Sequence, residues 1–209
     1  MGRKMCPKII LEGTRLTQKT DVAFALNEHP RIVGPRKYRY HSPLVSAEWC
    51  AFTNVPWGRG LINYEPHEES LAMETYRTWL HLFGCLKYYS WIVDRFHIST
   101  QAYQLQRYGT ECDFTWLEEG LLPLGFRIVR LRRSDDSFEE ARAARLRVSG
   151  HPGQYDELEP FRQEQRLIER LVSESRLPSV TIDISDHSVE RAADRIADWL
   201  EATGGLYLE

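Results

Sequence analysis

The sequence is poor in the features that most often announce a function. Its four cysteines, Cys6, Cys50, Cys85 and Cys112, are scattered without a C-x-x-C pair, and its seven histidines include no H-x-x-x-H pair. Neither a zinc site nor a disulfide framework is suggested. No apolar run approaches the ~20 residues of a membrane span, and Met1–Ile10 lacks the apolar core of a signal peptide. There is no internal repeat and no low-complexity tract. The net charge of −3 argues against bulk nucleic-acid affinity, while leaving room for a local basic pocket. Hydrophobic residues at 42% and charged residues at 27% are the balance of an ordinary globular chain. Together these traits predict a cytoplasmic protein with no membrane partner, folded as a single domain over 1–209.

What is present reads as short apolar strands alternating with helices. "KIILE" (Lys8–Glu12) predicts a buried strand. Val22, Ala23 and Leu26 have helical spacing over Thr20–His29, and Pro30 closes that helix. "RIVG" (Arg31–Gly34) reads as strand two, running into the basic loop "GPRKYRYHSP". Residues 48–66, rich in aromatics, glycine and proline, predict an irregular loop or lid. "YYSWIVDR", "GFRIVRL" and "SVTIDIS" supply three more strands. Helices are predicted at Glu68–Leu86, Thr115–Pro123, Ser137–Ser149, Leu158–Ser175 and Val189–Thr203, the last capped by Gly204. The alternation predicts an α/β fold, a five-stranded parallel sheet flanked by helices on both faces. Ligands of such sheets bind beyond the carboxyl ends of the strands, where "LEGTRLTQKT", "GPRKYRY", "DRFHIST" and "RRSDD" would converge.

The first of these stretches nearly matches G-x-x-x-x-G-K-[ST], with Gln18 in place of the second glycine. Gly13, Thr14, Arg15, Leu16, Thr17, Gln18, Lys19 and Thr20 then form a phosphate loop between a strand and a helix. Successive N–H groups and the helix N-terminus favour an anion there. Lys19 would reach the terminal phosphates of ATP, and the Thr20 hydroxyl would hold Mg²⁺. Taken alone, Lys19 and Thr20 read equally well as the opening of an exposed helix.

A second segment decides between the two. "DRFHISTQAYQ" (Asp94–Gln104) closely resembles the D-R-[HYF]-x-x-S-x-x-A-Y-Q segment of thymidylate kinases, in the same chain order after the phosphate loop. The resemblance extends to "ILEG" before the loop, to an arginine-containing lid (residues 134–158) and to total length. It implies a P-loop kinase fold with a short helical lid, and ATP- and Mg²⁺-dependent phosphorylation of a deoxypyrimidine nucleoside monophosphate. It places Asp94 beside Mg²⁺ or the acceptor phosphate, and Arg95 on that phosphate, whose oxygens suit a guanidinium. Ser99 or Thr100, with Gln104, would face the pyrimidine edge, and Tyr103 would pack beneath the deoxyribose. Arg77 corresponds to the arginine that bonds the thymine carbonyl. Arg142 and Arg145, which share a helix face, would close over the γ-phosphate.

The acceptor is argued from charge. Nucleoside kinases of this fold carry a carboxylate base after strand two, whereas here Arg36, Lys37 and Arg39 stand after "RIVG", with no acid between Glu28 and Glu48. Cations without a base favour an acceptor that already carries phosphate. The chain also departs from the family. Arg15 occupies a place where thymidylate kinases usually have an acid, the loop "TREPGG" is absent, and residues 48–66 have no counterpart. These departures leave two further readings: a kinase acting on a modified nucleotide or a hydroxymethyl-pyrimidine in DNA, or a catalytically weak nucleotide-binding protein. A nucleotide is the expected partner, nucleic acid enters only as a substrate, and a homodimer is a candidate assembly.

Overall fold

The computed structural model describes residues 4–33, 44–56 and 58–208. The first half contains β1 (Lys8–Glu12), α1 (Lys19–Glu28), α2 (Pro30–Val33), β2 (Leu44–Ser46), α3 (Glu69–Cys85) and β3 (Trp91–Asp94). The second half contains α4 (His97–Tyr108), α5 (Thr115–Leu121), β4 (Phe126–Arg132), α6 (Ser137–Leu146), α7 (Glu159–Glu174), β5 (Ser179–Asp183) and α8 (Val189–Ala202). The strands form one sheet in the order β2-β3-β1-β4-β5, every neighbouring pair parallel. No helix is long and apolar enough to cross a membrane among the described residues.

The alternation of side chains along β1 explains the two layers. Ile10 joins Tyr76 and Phe83 of α3, Ile98 and Ala102 of α4, Leu117 of α5 and Ile168 of α7 on one face. Ile9 and Leu11 face the other way, onto Val22 and Leu26 of α1 and Ile196 and Leu200 of α8. The central strand is buried along its whole length, even at Lys8, whose ammonium donates to the Lys87 carbonyl at 2.6 Å.

Strand two is not where the sequence predicted it. Arg31–Val33 is a helical turn, because Pro30 suits the first turn of a helix and the Ile32 N–H donates to the His29 carbonyl at 3.0 Å. The second strand is Leu44–Ser46, an edge strand of half-buried residues whose apolar pattern is weak. The basic stretch Gly34–Pro43, with Arg36, Lys37 and Arg39, lies outside the described residues and precedes β2 in the chain. At its carboxyl end β2 leads into a 3-10 turn, Ala47–Trp49, which carries Glu48. After β3 a two-residue turn leads into α4 at His97, over a stretch for which no helix was predicted.

The described residues of 48–66 are irregular, as predicted. A bridge between Ala51 and Gly60 folds the segment back on itself, and Leu61, Ile62 and Tyr64 are buried in the core. Arg59 clamps its end, with Nε 2.9 Å from Glu68 and Nη1 3.3 Å from Glu65.

One buried carboxylate closes the helical layer. Glu118 of α5 accepts from His97 Nε2 (3.0 Å), the Ser175 hydroxyl (2.6 Å) and the Arg176 N–H (2.8 Å), so it joins the start of α4 to the end of α7. Removing it leaves the buried His97 Nε2 and two part-buried donors without this acceptor. Glu118→Ala should lower the unfolding free energy by about 3 kcal/mol. Urea unfolding with an unchanged m-value would measure it, and a loss under ~1 kcal/mol would show that water replaces the carboxylate.

Candidate functional site

The carboxyl edge of the sheet brings together the loop after β1, the turn after β2 and the turn after β3. Backbone conformation in the first loop is set by alternating positive φ angles. Gly13 has φ 153°, and a Cβ there would lie 2.6 Å from the Leu131 carbonyl oxygen, so only glycine fits. Leu16 (φ 69°) and Gln18 (φ 52°) are left-handed. Gln18 therefore adopts the conformation that the glycine of the motif would supply, at a steric cost glycine does not carry. Gln18→Gly should raise the unfolding free energy by roughly 0.5–1 kcal/mol, the left-handed penalty less the extra entropy glycine loses on folding. A drop in stability by the same urea measurement would show that the glutamine side chain holds the loop.

The loop turns at Arg15–Leu16 and leads straight into the N-terminus of α1, a geometry that favours an anion. Thr17 is buried and its hydroxyl closes the loop onto the Thr14 carbonyl at 2.7 Å. Lys19 is buried with its ammonium on the same carbonyl, 2.7 Å away. Burial and the Arg95 charge push the Lys19 pKa down to about 8, against the opposing pull of Asp94, Glu48 and Glu164.

Asp94 ends β3 and faces the loop. Its Oδ2 accepts from the Thr20 hydroxyl at 2.7 Å, while its buried Oδ1 has no partner. A carboxylate oxygen left open beside a hydroxyl fits a hard divalent cation. No group of three or more His, Cys, Asp or Glu with metal-binding geometry occurs among the described residues. Such a cation would take most of its oxygens from phosphate and water, as Mg²⁺ prefers.

Arg95 comes next with φ 61°, its N–H held by the Leu11 carbonyl at 2.9 Å. Its guanidinium is buried between two carboxylates, Glu48 at 3.5 Å and Glu164 at 3.4 Å. Burial opposes the Glu48 charge, but Arg95, Lys19, Arg15 and Arg145 outweigh it and hold the carboxyl below its usual range. Arg15 also reaches across to Gln154, in the 3-10 turn that follows α6.

Other predicted residues sit elsewhere. Ser99, Thr100 and Gln104 do not face an open edge. Ser99 donates to Glu12, Thr100 meets the Tyr76 hydroxyl at 2.6 Å and donates to the Leu61 carbonyl, and Gln104 donates to the Ile62 and Tyr64 carbonyls. All three are buried, because helix α4 turns this polar face onto the irregular segment. Tyr103 is half-buried beside Tyr108. Arg77 is exposed and lies over the Trp116 ring, 5.4 Å from its centroid, paired with Glu74. Arg142 is tied to Glu139 at 2.6 Å, whereas Arg145 bonds the Tyr155 hydroxyl at 3.1 Å and adds its field to Glu48. Arg36 lies outside the described residues.

Four residues of the site were not foreseen. Glu12 and Glu48 border the loop and Arg95. Glu164 shares an i, i+4, i+8 stripe with the buried Ile168 and Val172 of α7, a spacing that marks it as inward-facing. Arg133 is fully buried after β4, donating to the Leu16 carbonyl at 2.9 Å and to Ser137, with Nη2 unpartnered.

The arrangement is a parallel α/β fold with a glycine-containing loop between its central strand and α1. Its fold is similar to that of the YorR protein of Bacillus subtilis, solved in complex with phosphorylated GDP. The TM-score is 0.62 at 16% identity, over 94% of this chain and 97% of YorR. No family model matches the sequence, and no curated protein matches it.

Phosphate binding at Lys19 would carry a pH signature. An anion beside the ammonium raises its pKa above the ligand-free value of about 8. Binding then takes up a proton above that pH, so ADP affinity should fall as pH rises beyond 8, toward a limit of ~tenfold per unit. Calorimetry between pH 7 and 10 should show this slope in the native protein and its disappearance in Lys19→Met. Equal slopes in the two would mean that another group titrates.

Proposed function

We propose that the protein is a phosphotransferase that moves the terminal phosphoryl group of Mg·ATP to a hydroxyl of a nucleoside-like acceptor. The observation that carries this reading is Glu48. It lies just past strand two, the place where a base serves hydroxyl acceptors, and neighbouring cations keep it ionised. The acceptor oxygen forms its bond to the γ-phosphorus, the bond from that phosphorus to the β–γ bridging oxygen breaks, and Glu48 takes the hydroxyl proton. Lys19 and the loop N–H groups hold the donor phosphates, and Arg145 is the cation on the lid side. Mg²⁺, held by Thr20 and Asp94, would neutralise phosphate charge when bound. The phosphorylated GDP in YorR is in keeping with a nucleotide ligand.

Phosphorylation of a deoxypyrimidine monophosphate is the second reading, favoured by the Asp94–Gln104 segment. It asks Arg95 to leave one of its two carboxylates for the acceptor phosphate. A hydroxyl acceptor asks for no such exchange, and includes a nucleoside or a hydroxymethyl-pyrimidine.

A panel of nucleosides, nucleotides and hydroxymethyl-pyrimidine DNA with Mg·ATP, read by ADP release and product mass, tests the acceptor. With the acceptor so found, Glu48→Gln should lower kcat by 10²–10⁴ with the ATP KM within about threefold. Because the Glu48 pKa is depressed, its base form is complete at neutral pH, and the acid limb it causes should lie below pH ~4.5. A fall in kcat of less than ~threefold in that variant, or a panel product that is a diphosphate, would move the reading to the monophosphate acceptor.

A further inference from the structure

Glu164 stands at a junction that phosphoryl transfer alone does not explain. It is carried by α7, the helix after the Pro152–Tyr155 turn, and its side chain is only 15% exposed. One carboxylate oxygen is 3.4 Å from Arg95 Nη1, and the other accepts a hydrogen bond from the Thr14 hydroxyl. Thr14 belongs to the phosphate-binding loop and Arg95 to the turn after β3. The Glu164 charge is also felt at Lys19. A carboxylate is thus built into the rim of an anion site and neutralises the arginine on the acceptor side.

Resting on the loop as the donor site, we propose that Glu164 is a positioning residue, an internal anion that latches the loop to Arg95 and competes with the donor's phosphates. In the ligand-free protein it holds both groups. Entering phosphates repel it and weaken its hold on Thr14, which frees Arg95 on that side. Donor binding is thereby coupled through one side chain to the Arg95–Glu48 pair. The donor binds more weakly, its affinity scaled by the fraction of molecules in which the latch is open.

The charge can be removed with little change of shape. Glu164→Gln keeps an acceptor for the Thr14 hydroxyl and deletes the anion. Titration calorimetry with Mg·ADP should find binding at least about tenfold tighter in Glu164→Gln than in the native protein, equal to about 1.4 kcal/mol. Glu164→Asp keeps the charge and should stay within about threefold of the native affinity, which separates charge from folding. Thermal midpoints of both variants check the fold. Unchanged or weaker ADP binding in a folded Glu164→Gln overturns the latch. Lys19→Met, titrated in parallel, keeps the two ideas apart. If it weakens ADP binding while Glu164→Gln has no effect, only the latch fails, whereas unaffected binding in Lys19→Met removes the donor loop itself.

Discussion

A buried carboxylate at the end of the central strand holds the site together. Glu12 accepts from the Phe96 N–H at 2.9 Å, the Ser99 N–H at 3.4 Å and the Ser99 hydroxyl. Those N–H groups are donors that the first turn of α4 cannot satisfy within itself. A negative charge there also meets the positive end of the helix. Burial raises the Glu12 pKa, and the hydrogen bonds from Ser99 and Phe96, with the His97 and Arg95 charges, pull it back. The bond network thus welds β1 to the β3–α4 corner, and Arg95 is held between them in its left-handed conformation. The Thr20–Asp94 bond makes the second tie, from α1 to β3.

Conformational cost is concentrated where these ties meet. Gly13, Leu16, Gln18 and Arg95 all have positive φ, and all lie at the carboxyl edge of the sheet. Strained residues persist only where the surroundings over-determine them. Here the surroundings are the buried Thr17, Lys19, Glu12 and Arg133, each bonded to loop or corner backbone. The same strain explains why substituting the motif's glycine by Gln18 leaves the loop intact. The neighbouring contacts fix the backbone, and the side chain adapts to it.

How much of this was legible in the sequence depended on the physical origin of each signal. Lys19, Thr20, Asp94 and Arg95 stood out because phosphate chemistry would demand those residue types beside a strand end, and the structure brings them to one edge of the sheet. Six of the eight helices among the described residues were readable from their apolar rhythm, to within a few residues, whereas α4 was not predicted and α2 was taken for a strand. Strand two was not, because an edge strand of three half-buried residues has little pattern, while "RIV" is apolar for a different reason: Ile32 is buried at a helical turn. That one misplacement carried the basic stretch to the wrong side of the strand and hid Glu48. Ser99, Thr100 and Gln104 bond within the protein instead of facing an open edge, which their residue types could not reveal. A buried polar side chain on a helix satisfies backbone carbonyls as well as it would a ligand, and only the partner's position tells the two apart.

Those three residues change what the helix α4 motif means in this chain. Thr100 and Gln104 bond the carbonyls of Leu61, Ile62 and Tyr64, and Ser99 bonds Glu12, so the helix is tied both to the irregular segment and to β1. Polar groups buried in this way must find partners, and the segment's carbonyls provide them. The segment is thereby tied down at its far end, beside the Arg59 clamp, while its near end presents Glu48 to Arg95. These ties and that charge are parts of a single arrangement. On the proposed reading, a base that removes a proton must be fixed relative to the donor phosphates, and α4 would help to fix it from one face while Arg95, just before that helix, would supply the countercharge.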